Sequence, residues 1–529
     1  MLTIVLASLF SGGGGIHDVN PGPAATSPTD VRPTMQRAFD DWYANAAKCE
    51  LTVGTYKVRP MIMVAAEGGG IRASYWTVRE LQAISDETCR KYSTFFSAGA
   101  SGGSVGLTVA RFSGATPDPG RAAVDAVKEI AKPQILSRAA DGTFIRDLLY
   151  SATGLPVPRI GERDGWDWRD RAGLIEDGWA DSSGWGNQRF LGPDSTLSSA
   201  TGQLILNSTS VKDNCRVWVS QVQVAGPATD PSPSFDPEKN CDKNPGAATR
   251  TIDLFRAYGP YTGDGSAPTC LGSISSATAA LLTARFPYVT PSGVVGPCPD
   301  REVSPGQRTE PYWPETQLVD GGYIENSGLA TITDLSDQWL GMARETNRRA
   351  LTGNSPRPAL VVPIIVFLTN ADRNASQPAL DTSPTSELAV PLTTYIRGGG
   401  ALDSNEALLG RAQDAVALDG FCSSTLDQPA CSALQRRFPS RFPSRVVVVD
   451  RLTQPEIGAP LGWVLSGASI TSMDKAMIAQ LDTHCPENQP DGGTPSAGGP
   501  SRSDGDVICR AGLATLGDLE RYFTFTPPS

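Results

Sequence analysis

The stretch MIMVAAEGGGIRA, residues 61–73, decides the fold of this chain. Its first part, MIMVAA, is a continuous apolar run, which is typical of a strand with both faces buried. Three glycines follow the run directly, and Ile71, Tyr75 and Val78 then recur at spacings of four and three. That spacing places them on one face of a helix. The stretch therefore predicts a buried strand, a tight glycine turn and a helix.

A second unit of the same kind follows in STFFSAGASGG, residues 93–103. Residues 93–100 read as another buried strand, and Val105, Val109 and Phe112 indicate a helix after it. Strand, helix, strand and helix in succession imply a parallel sheet, so we expect an α/β fold. Apolar runs bounded by Gly and Pro predict further strands at residues 204–207, 217–222, 317–320, 360–368 and 446–449.

The segments between these runs suggest the domain organisation. Residues 1–34 are expected to form a flexible leader, whose apolar start, MLTIVLASLF, is interpreted as the remnant of an export or anchor segment. The catalytic domain is predicted over residues 35–480, with a helical, tryptophan-bearing insertion at about 114–200. Residues 481–529 are predicted to be a loop-rich C-terminal extension, since much of this part is low-complexity.

Composition excludes several classes of protein. The 529 residues carry 45 Lys and Arg against 56 Asp and Glu, a formal net charge of -11, which argues against a nucleic-acid partner. The same charge does not exclude a membrane surface, because apolar patches can meet lipid. With 2 histidines, His17 and His484, a His-rich metal site is impossible. No EF-hand spacing occurs either, so we expect no metal or cofactor.

Ten cysteines occur without any CxxC pair, which favours structural disulfides over zinc or redox motifs. Free buried thiols are the alternative. Disulfides would place folding outside the reducing cytosol, in the periplasm, at the membrane or in secretion. Pairing neighbours in sequence order predicts bridges 49–89, 215–241, 270–298, 422–431 and 485–509.

The pentapeptide GASGG, residues 99–103, fits the GxSxG pattern with Ser101 at its centre. It lies directly after a predicted strand and directly before a predicted helix. A serine at such a turn is lifted out of the sheet, and the helix N-terminus favours developing negative charge. Ser101 is therefore a candidate nucleophile, although a turn of small residues would look the same.

The glycines of EGGGIRA, Gly68, Gly69 and Gly70, open a helix with unobstructed backbone amides. Such amides can bind an anion or stabilise an oxyanion. A phosphate-binding loop is the rival interpretation, but neither GxGxxG nor a GKS or GKT ending is present. Arg72 is a candidate for positioning the loop or the substrate, and an ordinary helix-surface arginine is an equally good interpretation.

Asp320 begins the sequence DGG at the end of a predicted strand. The motif is equally typical of a hairpin turn. However, a hydroxyl nucleophile needs a base, and with histidine nearly absent a carboxylate is the obvious candidate. A dyad of Ser101 and Asp320 would be complete without any histidine.

The three motifs EGGGIRA, GASGG and DGG, in that order on a βαβα pattern, resemble the patatin-like phospholipase family, which is related to the catalytic domain of cytosolic phospholipase A. The resemblance runs from about residue 61 to residue 329. It implies a three-layer fold with a long insertion after the nucleophile helix. It also implies that Ser101 is the nucleophile, Asp320 the base and Gly68, Gly69 and Gly70 the oxyanion hole.

The activity implied by the resemblance is lipid acyl hydrolysis of the phospholipase A or lysophospholipase type. The implied partners are a lipid substrate and a membrane surface. Three features depart from the family pattern. The separation of 219 residues between the serine and the aspartate is long, Glu67 stands where many members have Asp or a small residue, and ten cysteines are unusual.

Other functions compete with this one. Ser101, Asp450 and His484 follow the chain order of an ordinary α/β-hydrolase triad, but that interpretation gives DGG no task. A non-catalytic interaction module on a hydrolase fold is a second alternative. Acyl transfer to an alcohol other than water is a third, because the same acyl-enzyme serves both reactions.

Overall fold

A computed structural model describes most of the chain, and every structural statement below concerns the residues it describes. They are 17–19, 32–85, 89–113, 119–153, 170–191, 200–212, 215–224, 251–257, 271–286, 289–296, 316–352, 357–369, 405–417, 428–439, 444–450, 462–485 and 508–523. The apolar start of the predicted leader and most of the low-complexity C-terminal segment lie outside these residues.

The described strands form one mixed sheet of mostly parallel strands. They are β1 Leu51–Val53, β2 Tyr56–Ala66, β3 Thr94–Ala100, β4 Gln203–Ser210, β5 Arg216–Ser220, β6 Thr251–Asp253, β7 Gly293–Val295, β8 Thr316–Asp320, β9 Leu360–Thr369 and β10 Val446–Asp450. Their order is β10-β9-β2-β3-β4-β5-β6. Neighbours from β10 through β4 are parallel, whereas β5 and β8 pair antiparallel with β4, β7 with β8 and β1 with β2.

Helices cover both faces of the sheet. They are α1 Met35–Asn45, α2 Gly70–Ser85, α3 Ser101–Phe112, α4 Pro119–Ile130, α5 Pro133–Asp141, α6 Leu148–Thr153, α7 Arg171–Ser183, α8 Leu254–Ala257, α9 Ser276–Leu282, α10 Leu329–Asp334, α11 Ser336–Thr352, α12 Asn405–Ala417, α13 Gln428–Arg437, α14 Gly467–Leu481 and α15 Leu516–Phe523. The α/β fold expected from the sequence is confirmed.

Strand β2 illustrates why its sequence is continuously apolar. Ile62 and Val64 pack into one hydrophobic cluster, while Met61 and Met63 pack into a second cluster on the opposite face. Successive strand side chains point to opposite faces, so both faces of β2 are buried between helices. The result is a three-layer arrangement of helices, sheet and helices.

The stretch predicted to be an insertion, about residues 114–200, contributes α4, α5, α6 and α7. Ile130, Ile135 and Trp179 from these helices belong to the same cluster as Ile62. The described part of the stretch therefore thickens one helical layer, packed on the core. The domain boundaries given in the sequence analysis stay a prediction.

Three strands were not expected from the sequence: β1, β6 and β7. Each has three residues, which is too short to produce an apolar run or a clear alternation. Within the predicted leader, the Val19 amide donates to the Val294 carbonyl of β7 at 2.8 Å, and Val19 is buried. This short described part of the leader is therefore packed against the sheet.

Two of the predicted disulfides are present, Cys49–Cys89 and Cys485–Cys509, with Cα atoms 4.9 and 5.4 Å apart. Each of the other three predicted pairs includes a cysteine outside the described residues. The second bridge joins the end of α14 to the C-terminal part, where Ala514 pairs with Val447 of the edge strand β10. Among the described helices, none is long and apolar enough to cross a membrane.

Candidate active site

Ser101 lies at the turn between β3 and α3, as the sequence predicts. Its φ is 48°, the one positive φ among the described residues other than glycine. A backbone in this region is strained, and such strain occurs where a side chain must be held in an exposed functional position. A Cβ on Gly102 would lie 1.9 Å from the Gly70 carbonyl oxygen, so the turn also requires glycine at that position.

Strand β4 brings the ends of β3 and β8 together. The parallel strand β3 ends at Ala100, which pairs with Asn207 of β4. The antiparallel strand β8 ends at Asp320, which pairs with the next residue, Ser208. The 219 residues between Ser101 and Asp320 therefore begin and end at neighbouring points of one strand.

The Thr283 carbonyl joins the two turns a second time. It accepts a hydrogen bond from the Ser101 amide at 3.1 Å and another from the Gly321 amide at 3.0 Å. The Asp320 amide donates to the carbonyl of Arg285 in the same segment, at 3.2 Å. The short stretch after α9 thus holds the backbones of both motifs.

The side chains of Ser101 and Asp320 are in direct contact. The serine hydroxyl donates to Asp320 Oδ2 at 2.7 Å, and the Gly322 amide donates to Oδ1 at 2.8 Å. Asp320 is 3% exposed, and this burial raises the pKa of its carboxyl to about 6, although the two hydrogen bonds act in the opposite direction. A carboxylate of this kind is ionised at neutral pH and is a stronger base than an exposed aspartate.

The three glycines after β2, up to and including the first residue of α2, differ in what their backbone amides contact. The Gly68 amide donates to the Asn326 carbonyl at 2.8 Å, so it is already engaged. The amides of Gly69 and Gly70 have no acceptor among the described residues, and both glycines line the cavity beside Ser101. Their φ angles of 152° and 63° are ones that other residues rarely adopt.

A cavity of about 420 Å³ opens onto the serine. Its walls are largely apolar and come from α2, α3, α7 and the segments before β7 and α14; they include Ile71, Val105, Trp179, Phe286, Val289 and Trp463. The rings of Trp179 and Trp463 are stacked with centroids 6.3 Å apart. The dyad therefore faces an apolar space with few polar groups, the usual composition of a small-molecule pocket.

Arg72 is half-buried on the first turn of α2 and is not among the described residues that line the cavity. Neither are Asp450 and His484 of the alternative triad. Asp450 ends β10, three strands away from β3, and His484 Nδ1 lies 3.8 Å from Asp518 Oδ1. The structure brings Ser101 to Asp320 and leaves these two residues elsewhere.

Sequence reasoning missed a buried network beneath the dyad. Glu325 is 6% exposed and accepts hydrogen bonds from the Ser327 amide at 2.7 Å and from Asn207 Nδ2 at 2.7 Å. Asn207 also donates to the Gly99 carbonyl of β3 at 3.0 Å. Burial raises the pKa of Glu325. Two signals in the sequence could have indicated this network: Asn207 ends the apolar run LILN, and Glu325 follows soon after DGG.

No family model matches the chain, and no curated protein matches it. Among solved structures it is similar to VipD from Legionella pneumophila, with a TM-score of 0.29 and 8% sequence identity, over 80% of this chain and 65% of that one. The match thus spans less than two thirds of VipD.

No group of acidic, His or Cys residues among the described ones could hold a metal ion.

Proposed function

We propose that the protein is a lipid acyl hydrolase of the phospholipase A or lysophospholipase type, which acts through a Ser101–Asp320 dyad and an acyl-enzyme. The observation that carries the proposal is the 2.7 Å hydrogen bond from the serine hydroxyl to a buried carboxylate, at the edge of an apolar cavity. A serine hydroxyl that donates a hydrogen bond to a base is the arrangement expected of an activated nucleophile.

In the proposed mechanism, Asp320 accepts the hydroxyl proton while Ser101 Oγ attacks the ester carbonyl. The carbonyl oxygen becomes an oxyanion, and the amides of Gly69 and Gly70 donate hydrogen bonds to it. The tetrahedral intermediate collapses, the C–O bond to the leaving alcohol breaks, and Asp320 returns the proton to that alcohol. Water, deprotonated by Asp320, then attacks the acyl-enzyme carbonyl. The bond from the acyl carbon to Ser101 Oγ breaks, Asp320 returns the proton to Ser101, and the fatty acid is released.

The sequence analysis expected all three glycines to form the oxyanion hole, but we propose this role for Gly69 and Gly70 alone. Because the Gly68 amide is bonded to Asn326, we propose that Gly68 serves the loop by close packing rather than by donating to the oxyanion. A Cβ at this position would lie 2.1 Å from Asn326 Oδ1 and 3.0 Å from the Ser101 Cβ. Arg72, half-buried outside the cavity, is proposed to position the loop and not to bind the substrate.

The substrate class follows from the cavity. Apolar walls with two tryptophans suit an acyl chain, and among the described residues that line the cavity the base is the one charged side chain. The proposed partners are therefore a lipid and the membrane surface that presents it. The two disulfides are compatible with an extracytoplasmic location.

The test is covalent labelling by a fluorophosphonate probe, followed by a panel of phospholipid, lysophospholipid and short acyl ester substrates. Wild type should be labelled on Ser101 and should release fatty acid. Ser101→Ala should lose both properties, and Asp320→Asn should lose at least about a hundredfold in kcat/KM.

The matched control is His484→Ala, which should remain fully active. Loss of activity in that variant would contradict the dyad and favour a triad. A folded wild-type protein that resists the probe and hydrolyses nothing in the panel would instead favour the non-catalytic module.

A further inference from the structure

One helical segment carries a concentration of exposed apolar side chains. Helix α5, a wide π-helical turn at Gly142–Asp147 and helix α6 follow one another without a break. Among the described residues, six large apolar side chains are exposed, and four of them lie in this segment: Leu136, Phe144, Ile145 and Leu149, at 39%, 55%, 49% and 43%. Isolated exposed apolar residues are ordinary, but a cluster indicates a contact.

The exposed residues lie on one side of the segment. Its inward face is marked by Ile135, Ala139 and Thr143, which are buried and recur every four residues. Leu136 and Phe144 each follow one of these buried residues directly, and so they lie on a line beside the inward face. Ile145 and Leu149 widen that line, which we call the apolar stripe: Leu136, Phe144, Ile145 and Leu149.

The charged groups of the segment are largely engaged away from the stripe. Arg138 forms an ion pair with Asp181 at 3.0 Å, and the buried Asp147 forms one with Arg171 at 2.7 Å. The stripe itself therefore presents four apolar side chains to its surroundings; the other charged residues of the segment are Asp141 and Arg146.

The segment also packs against one wall of the candidate active site. A Cβ on Gly178 of α7 would lie 2.9 Å from Ile135 Cδ1, and the next residue, Trp179, lines the cavity. Next to α5, the Ala131 carbonyl accepts a hydrogen bond from the Leu465 amide, two residues after Trp463. The segment and the residues directly before it thus contact the parts of the chain that carry the two stacked tryptophans.

We infer that the apolar stripe is the surface that enters a lipid layer and brings the cavity to its substrate. The four side chains expose roughly 300–400 Å² of apolar surface, the size of patch that marks an interaction site. A stable interface with a second copy would bury about 800 Å² on each partner. A lipid layer needs no such breadth, because it surrounds each inserted side chain. This inference rests on the proposed function.

The test compares two pairs of substitutions in the full chain. Phe144→Ser with Ile145→Ser removes the most exposed part of the stripe. Val211→Ser with Ile478→Ser is the matched control, since these residues are 47% and 56% exposed and lie outside the segment. Binding to phosphatidylcholine vesicles is measured by flotation in a Ser101→Ala background, so that no lipid is consumed. Hydrolysis is measured in the same variants with Ser101 in place, on the same vesicles and on a short acyl ester in free solution.

The stripe variant should lose at least tenfold in vesicle binding and in vesicle hydrolysis while hydrolysing the soluble ester like wild type. The control pair should behave like wild type throughout. Unchanged vesicle binding in the stripe variant would overturn the inference, and so would a wild-type dimer in sedimentation that the stripe variant converts to monomer. A wild type that binds vesicles through the stripe but cleaves neither ester would refute the proposed function alone.

Discussion

At the scale of single residues, the contact between Ser101 and Asp320 is the feature that most constrains the chemistry. The sequence located both residues, because each stands in a short motif whose glycines have a steric reason. It could not identify Thr283, whose backbone carbonyl accepts hydrogen bonds from both turns, because every residue type has a backbone carbonyl. Glu325 and Asn207 were missed for a related reason: a buried polar network depends on which strands become neighbours.

The pKa of Asp320 predicts the pH dependence of the reaction. Burial raises this pKa to about 6, and only the ionised carboxylate can accept the serine proton. We expect kcat/KM for a soluble ester to fall about tenfold per pH unit below pH 6 and to be level above about pH 7. His484→Ala should leave the profile unchanged. A titration that moves in this variant would show that the histidine, and not the aspartate, controls the rate.

The same carboxyl predicts a stability effect. Its folded pKa of about 6 lies above the ordinary value of about 3.9, so the native state binds this proton more tightly than the unfolded state. The ionised form therefore costs stability above pH 6, and that cost disappears as the pH falls through 6 towards 4. Asp320→Asn should be more stable than wild type at pH 8, by up to about 3 kcal/mol.

Urea unfolding at pH 8 and at pH 4.5 measures this difference. The advantage of Asp320→Asn should shrink at the lower pH. An Asp320→Asn protein that is less stable at pH 8 than at pH 4.5, relative to wild type, would contradict the raised pKa.

At the scale of elements, the sequence predicted the seven longer strands closely but not how they pair. Apolar runs report burial on both faces, so β2, β9 and β10 were evident. That β8 joins β4 where β3 ends follows from register, which is decided by contacts between residues far apart in the chain. This pairing is what turns two separate motifs into one site.

The close approach of α2 and α3 predicts that Gly106 cannot be enlarged. A Cβ there would lie 2.7 Å from the Ser74 carbonyl oxygen and 2.8 Å from the Thr77 Cβ. Gly106→Ala should cost about 1–3 kcal/mol of stability by forcing the helices apart, and activity should fall because α2 carries the glycine loop.

The matched control is Gly341→Ala in α11, where a Cβ would meet nothing within 4 Å. A helix gains up to about 1 kcal/mol from this change. Urea unfolding of both variants measures the contrast. A Gly106→Ala protein as stable as Gly341→Ala would mean that the two helices are not in close contact.

At the scale of the whole molecule, the disulfide Cys485–Cys509 ties the C-terminal part to the core across a separation of 24 residues. A bridge over a loop of this length stabilises a fold by about 3 kcal/mol through the unfolded chain. Replacing both cysteines with serine should lower the free energy of unfolding by about that amount. Reductant should destabilise wild type by about that amount more than the variant, because both proteins keep the Cys49–Cys89 bridge. Equal responses of the two proteins to reductant would contradict the bridge.

The shared attachment of the two motifs at Thr283 has a dynamic consequence. Because both backbones donate to the Thr283 carbonyl, we expect the Ser101 and Gly321 turns to move together when the segment after α9 moves. Such correlated motion changes the position of the dyad relative to the cavity much more than it changes the distance from the hydroxyl to the carboxylate. We therefore expect fluctuations of the surrounding chain to change the proton-transfer distance less than they change the alignment of a bound ester.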